Sequence, residues 1–328
     1  MPPVIEVKNL KKYYKVHQKE PGLMGSIRSL FHRKYYDVKA VDGMSFEIGE
    51  GELVGFIGPN GAGKTTTLKV LSGLLYPTSG FVSALGYTPW DRKPAYQKQF
   101  SLVMGQKNQL WWDLPAIESF ILNKEIYEVS DERYKTTLDE LVTLLEVEDI
   151  LKVQVRKLSL GQRMKMELIA ALIHSPKILF LDEPTIGLDV VMQKKMRDFI
   201  KEYNRRFKAT IILTSHYMDD VKELCERVII IDHGKLLFDG KLDEIIKKFA
   251  NHKLLTAVFS KKVDREDLAK IGEIKEFDPP KAVISVPRAA ASTAAAALLK
   301  NFPVADLNIE EAQIEDIIRE VFTGKDLA

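Results

Sequence analysis

Short, wholly apolar runs recur along the chain, and helical patterns separate them. Leu53–Ile57 leads into a glycine-rich turn and then a helical stretch. Further runs stand at Ile178–Leu181, Thr210–Leu213 and Val228–Ile231. Each has the length and bulk of a strand buried on both faces, because a half-exposed strand would alternate apolar and polar residues. Strands alternating with helices predict a mostly parallel sheet with helices on both faces, an α/β fold. Residues 131–147 place Leu138, Leu141, Val142 and Leu145 on one helical face. They predict helical structure inserted between the glycine-rich turn and the later strands, over about 107–175.

The pattern thins after Phe249. Beyond it the chain predicts a strand Leu254–Phe259, a helix Asp264–Ile271, two strands around Asp278-Pro279-Pro280, an alanine-rich helix Ala289–Lys300, a strand near Leu307 and a last helix Ile314–Phe322. That order suggests a small α+β domain of the split βαβ kind over 250–328, following a large domain over 1–249. Residues 15–39 read as an insertion with six Lys or Arg and two acidic residues. Within it Leu23, Ile27, Leu30 and Phe31 form one helical stripe, with Arg28, His32 and Arg33 to one side. The stripe suits a basic amphipathic helix at a membrane surface or partner chain, and equally a helix packed on the domain's own sheet.

Composition narrows the class. The chain has 328 residues, 45% hydrophobic and 29% charged, enough for a large core without disulfides or a structural metal. Cys225 is the single cysteine, so no internal disulfide framework exists. A net charge of +2 points to no polyanion, and no nucleic-acid partner is expected. No run approaches the roughly 18 to 20 apolar residues of a spanning helix. Any service to a membrane would come through a partner.

The chemistry concentrates at strand ends. Gly58-Pro59-Asn60-Gly61-Ala62-Gly63-Lys64-Thr65, continued by Thr66, fits G-x-x-x-x-G-K-[ST] between a strand and a helix. Glycines let backbone N–H groups converge on phosphate oxygens, and the helix offers its positive N-terminus. Lys64 can bridge β- and γ-phosphates, and the Thr65 hydroxyl can bind Mg²⁺. Ile178–Leu181 ends in Asp182 and Glu183. Asp182 suits Mg²⁺ through water, and Glu183 suits a base that polarises the attacking water.

The segment Leu158-Ser159-Leu160-Gly161-Gln162, added to these elements in this order, makes residues 4–245 resemble the ATP-binding cassette (ABC) family. The resemblance implies a P-loop ATPase core with a helical subdomain. It also implies that ATP and Mg²⁺ bind between two subunits, each presenting its signature helix to the other's γ-phosphate. Ser159 and the Gly161 N–H would be the signature donors, with Gln162 beside them. Ser159 and Gln162 can also form a capping box. Leu160 stands where the family usually has glycine. Gln106, in LVMGQKNQLWWDLP, matches the glutamine that senses Mg²⁺ and contacts the transmembrane partner. His216 matches the switch histidine, and Asp189, in GLD, the aspartate that crosses the dimer interface. Tyr14 is placed to stack on adenine, with Tyr13 as its rival. Trp111 and Trp112 read either as one buried and one exposed, or as both buried.

The run around Gln106, the insertion before Val41 and the paired Val190-Val191 look like bacterial export ATPases with separately encoded permeases. That resemblance implies a dimer, with itself or a paralogue, held at the cytoplasmic face of the membrane by permease subunits. A non-transport ABC ATPase of translation or DNA repair is the alternative. One cassette, one cysteine and no long heptad run weigh against it. Glu183 and His216 together weigh against a regulatory module that does not turn over.

Overall fold

A computed structural model of the chain describes residues 2–17, 35–105, 107–249 and 252–311, together with Ile318. Its contacts divide into two compact units, Met1–Asp239 and Gly240–Ala328. The division precedes the change of pattern expected near residue 250.

In the first unit the four apolar runs are strands: β3 (Leu53–Ile57), β6 (Ile178–Asp182), β7 (Thr210–Thr214) and β8 (Arg227–Asp232). With β5 (Phe100–Met104) and β9 (Lys235–Lys241) they form one sheet in the order β5-β6-β7-β3-β8-β9. The pairs β5/β6, β6/β7, β3/β7 and β3/β8 are parallel. Every residue of β6 and β7 is buried, as continuous apolar strands require. Helical connections carry the chain between the parallel strands, so the carboxyl ends of β3, β6 and β7 lie together. Ligands of open parallel sheets bind at that end.

The helices follow from their caps and faces. α1 (Lys64–Leu71) follows the glycine-rich turn and α2 (Pro94–Gln97) is short. α3 (Ala116–Ile126), α4 (Asp131–Leu145) and α5 (Leu160–Leu172) fall within the stretch expected to be helical. Ser130 caps α4, and Asp131 and Glu132 sit in its first turn against the positive helix end. α6 (Val190–Phe207) and α7 (Met218–Leu224) connect the later strands.

A second sheet was not legible from the apolar runs. β1 (Ile5–His17), β2 (Tyr35–Ile48) and β4 (Ser79–Ala84) form an antiparallel sheet in the order β2-β1-β4. Its strands carry the alternating pattern of one buried face: Met44, Phe46 and Ile48 are buried, while Ser45 and Glu47 are exposed. Ile5, Val7, Leu10, Met44, Phe46, Ile48 and Val82 join Leu68 and Leu71 of α1 and Phe56, Phe180 and Ile231 of the parallel sheet in one core cluster. Burying each such side chain contributes about 1.5–3 kcal/mol. The β1–β2 ladder runs out to His17 opposite Tyr35. Residues 15–17 and 35–39, expected to belong to an insertion, are therefore continuing arms of this ribbon. The stripe of Leu23, Ile27, Leu30 and Phe31 lies outside the described residues.

In the second unit, α8 (Leu242–Phe249) precedes β10 (His252–Phe259), α9 (Arg265–Leu268), β11 (Glu273–Asp278), β12 (Lys281–Pro287), α10 (Ala291–Asn301) and β13 (Val304–Glu311). The strands form an antiparallel sheet in the order β11-β12-β10-β13, the split βαβ arrangement. Leu255, Ala257, Phe259, Ile284 and Val286 pack on Leu268 and on the small residues Ala291, Ala294 and Ala295 of α10. The alanine run is thus the buried face of a close-packed helix. The expected helix Asp264–Ile271 is only the single turn of α9, and the expected last helix lies outside the described residues apart from Ile318.

Candidate functional site

The turn between β3 and α1 is built where side chains cannot go. Gly63 has φ +107°, and a Cβ there would sit 2.3 Å from the Ala40 carbonyl oxygen. At Gly58 a Cβ would meet the Ile231 carbonyl oxygen, also at 2.3 Å. Only glycine fits both positions. Lys64 is buried, and its ammonium donates to the carbonyl oxygens of Gly58 at 2.6 Å and Pro59 at 3.1 Å. Burial lowers its pKa, and Glu183 and Asp182 push it back up. The lysine is thus curled over the turn it follows. Thr67 donates to Gly63 O at 2.9 Å and closes the first turn of α1.

A cavity of about 850 Å³ opens over this turn. Asn60 to Thr66 line its floor, Glu183 one wall, and Tyr14 of β1 and Val38 of β2 another. Tyr13, the rival, is engaged elsewhere: its hydroxyl bonds Asp42 and its N–H donates to Thr78. Of the two tyrosines, Tyr14 lines the cavity.

The carboxylates stand at the end of β6. Asp182 is buried and both its oxygens are engaged. Thr65 donates to Oδ2 at 2.8 Å and Thr214 of β7 to Oδ1 at 2.7 Å. Glu183 leaves the strand at φ +57°. Its Oε1 lies 2.7 Å from Nε2 of His216, which follows β7. A Cβ on Gly105 would sit 2.1 Å from the Glu183 carbonyl oxygen, so the glycine after β5 makes room for this turn. Four sequence-predicted residues, Thr65, Asp182, Glu183 and His216, are thus joined by direct contacts.

Behind them lies a buried polar network that sequence reasoning missed. Asp220 of α7 has no solvent exposure. It accepts from Thr185 at 2.5 Å, Ser215 at 2.6 Å and Arg197 of α6 at 3.0 Å. Ser215 in turn accepts from the Tyr217 N–H at 3.0 Å, so both neighbours of His216 are tied down. Asp220 follows His216 in Tyr217-Met-Asp-Asp220, a spacing that carried no signal without the fold.

Ser159 caps α5 and forms a full capping box. The Gln162 N–H donates to Ser159 Oγ at 3.2 Å, and the Ser159 N–H donates to Gln162 Oε1 at 2.9 Å. The cap uses Ser159 Oγ as acceptor, so its own proton remains free to donate. Ser159 is exposed, while Gly161 is buried under Met192 of α6. Leu160 reaches toward Gly187, whose missing Cβ leaves the space. Asp189 is exposed and caps α6 by accepting from the Met192 N–H at 2.9 Å. Gln106 lies outside the described residues. Just beyond it, the Gln109 and Leu110 N–H groups donate to the buried Glu167 of α5. Trp111 and Trp112, for which burial of at least one was expected, are both about half exposed, and the Arg163 guanidinium lies over the Trp112 ring. The Trp112 and Leu114 carbonyls accept from the Arg156 and Val155 N–H groups, each at 3.0 Å, and the Leu114 N–H closes a turn on the Trp111 carbonyl at 3.3 Å.

Residues 41–186 match the family described as ABC transporter, and residues 251–310 match the one described as EvrA-like ABC transporter, C-terminal domain. The chain is 32% identical over 233 residues to the ABC transporter ATP-binding protein NatA of Bacillus subtilis, covering 71% of this chain and 94% of that one. It is 33% identical over 215 residues to the Nod factor export ATP-binding protein I of Burkholderia orbicola, covering 66% and 70%. A solved dimer of the ATP-binding cassette MJ0796 in a post-hydrolysis state with ADP and Pi superposes with a TM-score of 0.60. It is 25% identical, with 73% of this chain and 98% of that one covered.

Proposed function

This chain belongs to the ABC transporter family as an ATP-binding subunit that hydrolyses ATP, and from that premise we propose how its residues divide the work and what they drive. Such cassettes act as dimers with membrane permease subunits, and the export-type relatives make outward transport the direction favoured here. Among the described residues no helix is long and apolar enough to cross a membrane, and the spanning subunits in this reading are separate permeases.

The backbone N–H groups of Asn60 to Thr66 hold the phosphates at the N-terminus of α1. Lys64 turns its ammonium from the Gly58 and Pro59 carbonyls to the β- and γ-phosphate oxygens. Tyr14 stacks on the adenine. Mg²⁺, where bound, would supply positive charge that offsets the charge of the triphosphate. The Thr65 hydroxyl and Asp182 carboxylate, hard oxygen donors already in contact, would hold the ion, and Gln106, matched to the family's glutamine in the sequence, is the third ligand we assign. Glu183 accepts a proton from the attacking water as its oxygen bonds to the γ-phosphorus and the bond to the β-phosphate oxygen breaks. His216, in contact with Glu183, steadies both the base and the γ-phosphate. The exposed Ser159 hydroxyl reaches the γ-phosphate held by a second subunit, with the α5 N-terminus of Gly161 and Gln162 behind it. Asp189 crosses the same interface. The exposed Trp111 and Trp112 offer large amphipathic contacts to a permease.

The Glu183–His216 contact at 2.7 Å, on the wall of the cavity above Lys64, carries this reading. Glu183→Gln should reduce turnover by roughly 10² to 10⁴, since it removes general base catalysis, while fluorescent ATP analogues still bind. Normal turnover in this variant would remove Glu183 from the chemistry.

A further inference from the structure

We propose that Thr214 is a positioning residue for ATP hydrolysis, whose single hydroxyl orients the Asp182 carboxylate and the Glu183 backbone together. The inference rests on the roles of Asp182 and Glu183 proposed above, and it names a residue that no sequence motif marked.

β6 and β7 run parallel with Asp182 opposite Thr214. Thr214 has no solvent exposure. A hydroxyl has one proton to give and two lone pairs to accept with. Thr214 gives its proton to Asp182 Oδ1 at 2.7 Å and accepts the Glu183 N–H at 3.1 Å. The Thr214 carbonyl also accepts from that N–H at 3.1 Å. Glu183 needs such a hold because it leaves the strand in the left-handed region at φ +57°, which side chains seldom adopt. The other oxygen of Asp182 takes the Thr65 hydroxyl at 2.8 Å. When Thr65 turns that hydroxyl toward a cation, Thr214 alone keeps the Asp182 carboxylate in its plane. No neighbour duplicates the task, since the next hydroxyl, Ser215, is spent on Asp220 at 2.6 Å. The polarity matters too. A donor from Thr214 satisfies one lone pair of Asp182 Oδ1 and leaves the remaining lone pairs of the carboxylate free to accept.

Valine has the shape of threonine without the hydroxyl, and serine keeps the hydroxyl without the methyl. A hydrogen bond to a carboxylate is worth about ten- to hundredfold. The test uses the full chain with MANT-ATP binding at varied Mg²⁺, steady-state turnover and thermal unfolding. In Thr214→Val, nucleotide affinity without Mg²⁺ should match wild type. The Mg²⁺ needed for half-maximal effect on binding should rise about tenfold, and turnover should fall about ten- to hundredfold. Thr214→Ser should stay within about threefold of wild type in every readout. If Thr214→Val does not fold, Thr214→Ala carries the same expectation. The proposal is overturned if the hydroxyl-free variant keeps the wild-type Mg²⁺ response, or if Thr214→Ser is as impaired as Thr214→Val at unchanged melting temperature, which would assign the effect to the methyl. Glu183→Gln in parallel separates the two levels. Normal turnover there defeats the site assignment itself, whereas a stalled Glu183→Gln beside an unaffected Thr214→Val defeats only the role of Thr214.

Discussion

The phosphate loop and the signature segment are both glycine-bearing turns into a helix, yet the chain treats them in opposite ways. The loop before α1 is fixed by its own chain. Backbone carbonyls of Ala40 and Ile231 crowd Gly63 and Gly58, and Lys64 is buried against the turn. The tip of α5 is satisfied by a capping box, with Ser159 and Leu160 exposed to solvent. Its body is anchored: Lys165 donates to Leu145 O at 2.6 Å, and His174, just past its end, stacks on Tyr127. A site made from one chain can be fixed by that chain's own backbone, whereas a helix tip proposed to face a second copy has to satisfy its own polar groups.

The comparison can be broken most severely behind the cradle. Asp220→Ala takes the buried carboxylate from Arg197, leaving it only the partly exposed Glu223 at 3.1 Å, and should cost up to about 3–5 kcal/mol, read by chemical denaturation. Gly63→Ala forces a side chain onto φ +107° and against a backbone oxygen. It should cost about 3 kcal/mol or more and abolish nucleotide binding, since no flexible neighbour can yield. At the foot of α5, burial pulls the pKa of His174 down to about 4 from 6.5. The unfolded chain then binds more protons than the folded one between those values. Its stabilising share is full above pH 6.5 and is lost as pH falls toward 4, roughly 2 kcal/mol between pH 7 and 5. His174→Phe should keep the stack on Tyr127 and flatten that part of the acid limb in urea unfolding. Ser159→Ala removes a cap worth about 1 kcal/mol. It should lower melting slightly and leave ATP binding to a monomer intact, while turnover falls beyond what stability explains. Gly161→Ala is expected to be mildest. Its Cβ would sit 2.6 Å from Cγ of Met192, a side chain that can turn away, and Met192→Ala should relieve the effect on melting.

Legibility tracked the distance over which a signal is written. β3, β6, β7 and β8 are unbroken apolar runs, and a buried parallel strand needs nothing else, so their places were readable. The phosphate loop and Asp182-Glu183 are likewise local patterns. The β1–β2–β4 sheet was hidden because its strands are half exposed, rich in Lys and Tyr, and interrupted by register shifts after Val7 and Lys12. The hydrogen-bond partners of Asp220 come from α6, from the loop after β6 and from beyond β7, and no spacing announces such a meeting. Trp111 and Trp112 defied the expectation that at least one would be buried, because that expectation assumed an extended loop, whereas the Leu114 N–H closes a turn on the Trp111 carbonyl.

By itself the sequence determined that this chain grips a triphosphate, since a glycine turn, a lysine and a hydroxyl in fixed order suffice to converge N–H groups on phosphate. It likewise determined that two carboxylates end a buried strand. Only the tertiary structure decided that Tyr14 rather than Tyr13 lines the cavity, that Thr214 reaches both Asp182 and Glu183, and that Asp220 braces the loop carrying His216. Those contacts exist because parallel strands align residues far apart in the chain, and a side chain's partner is set by register, which no single segment encodes.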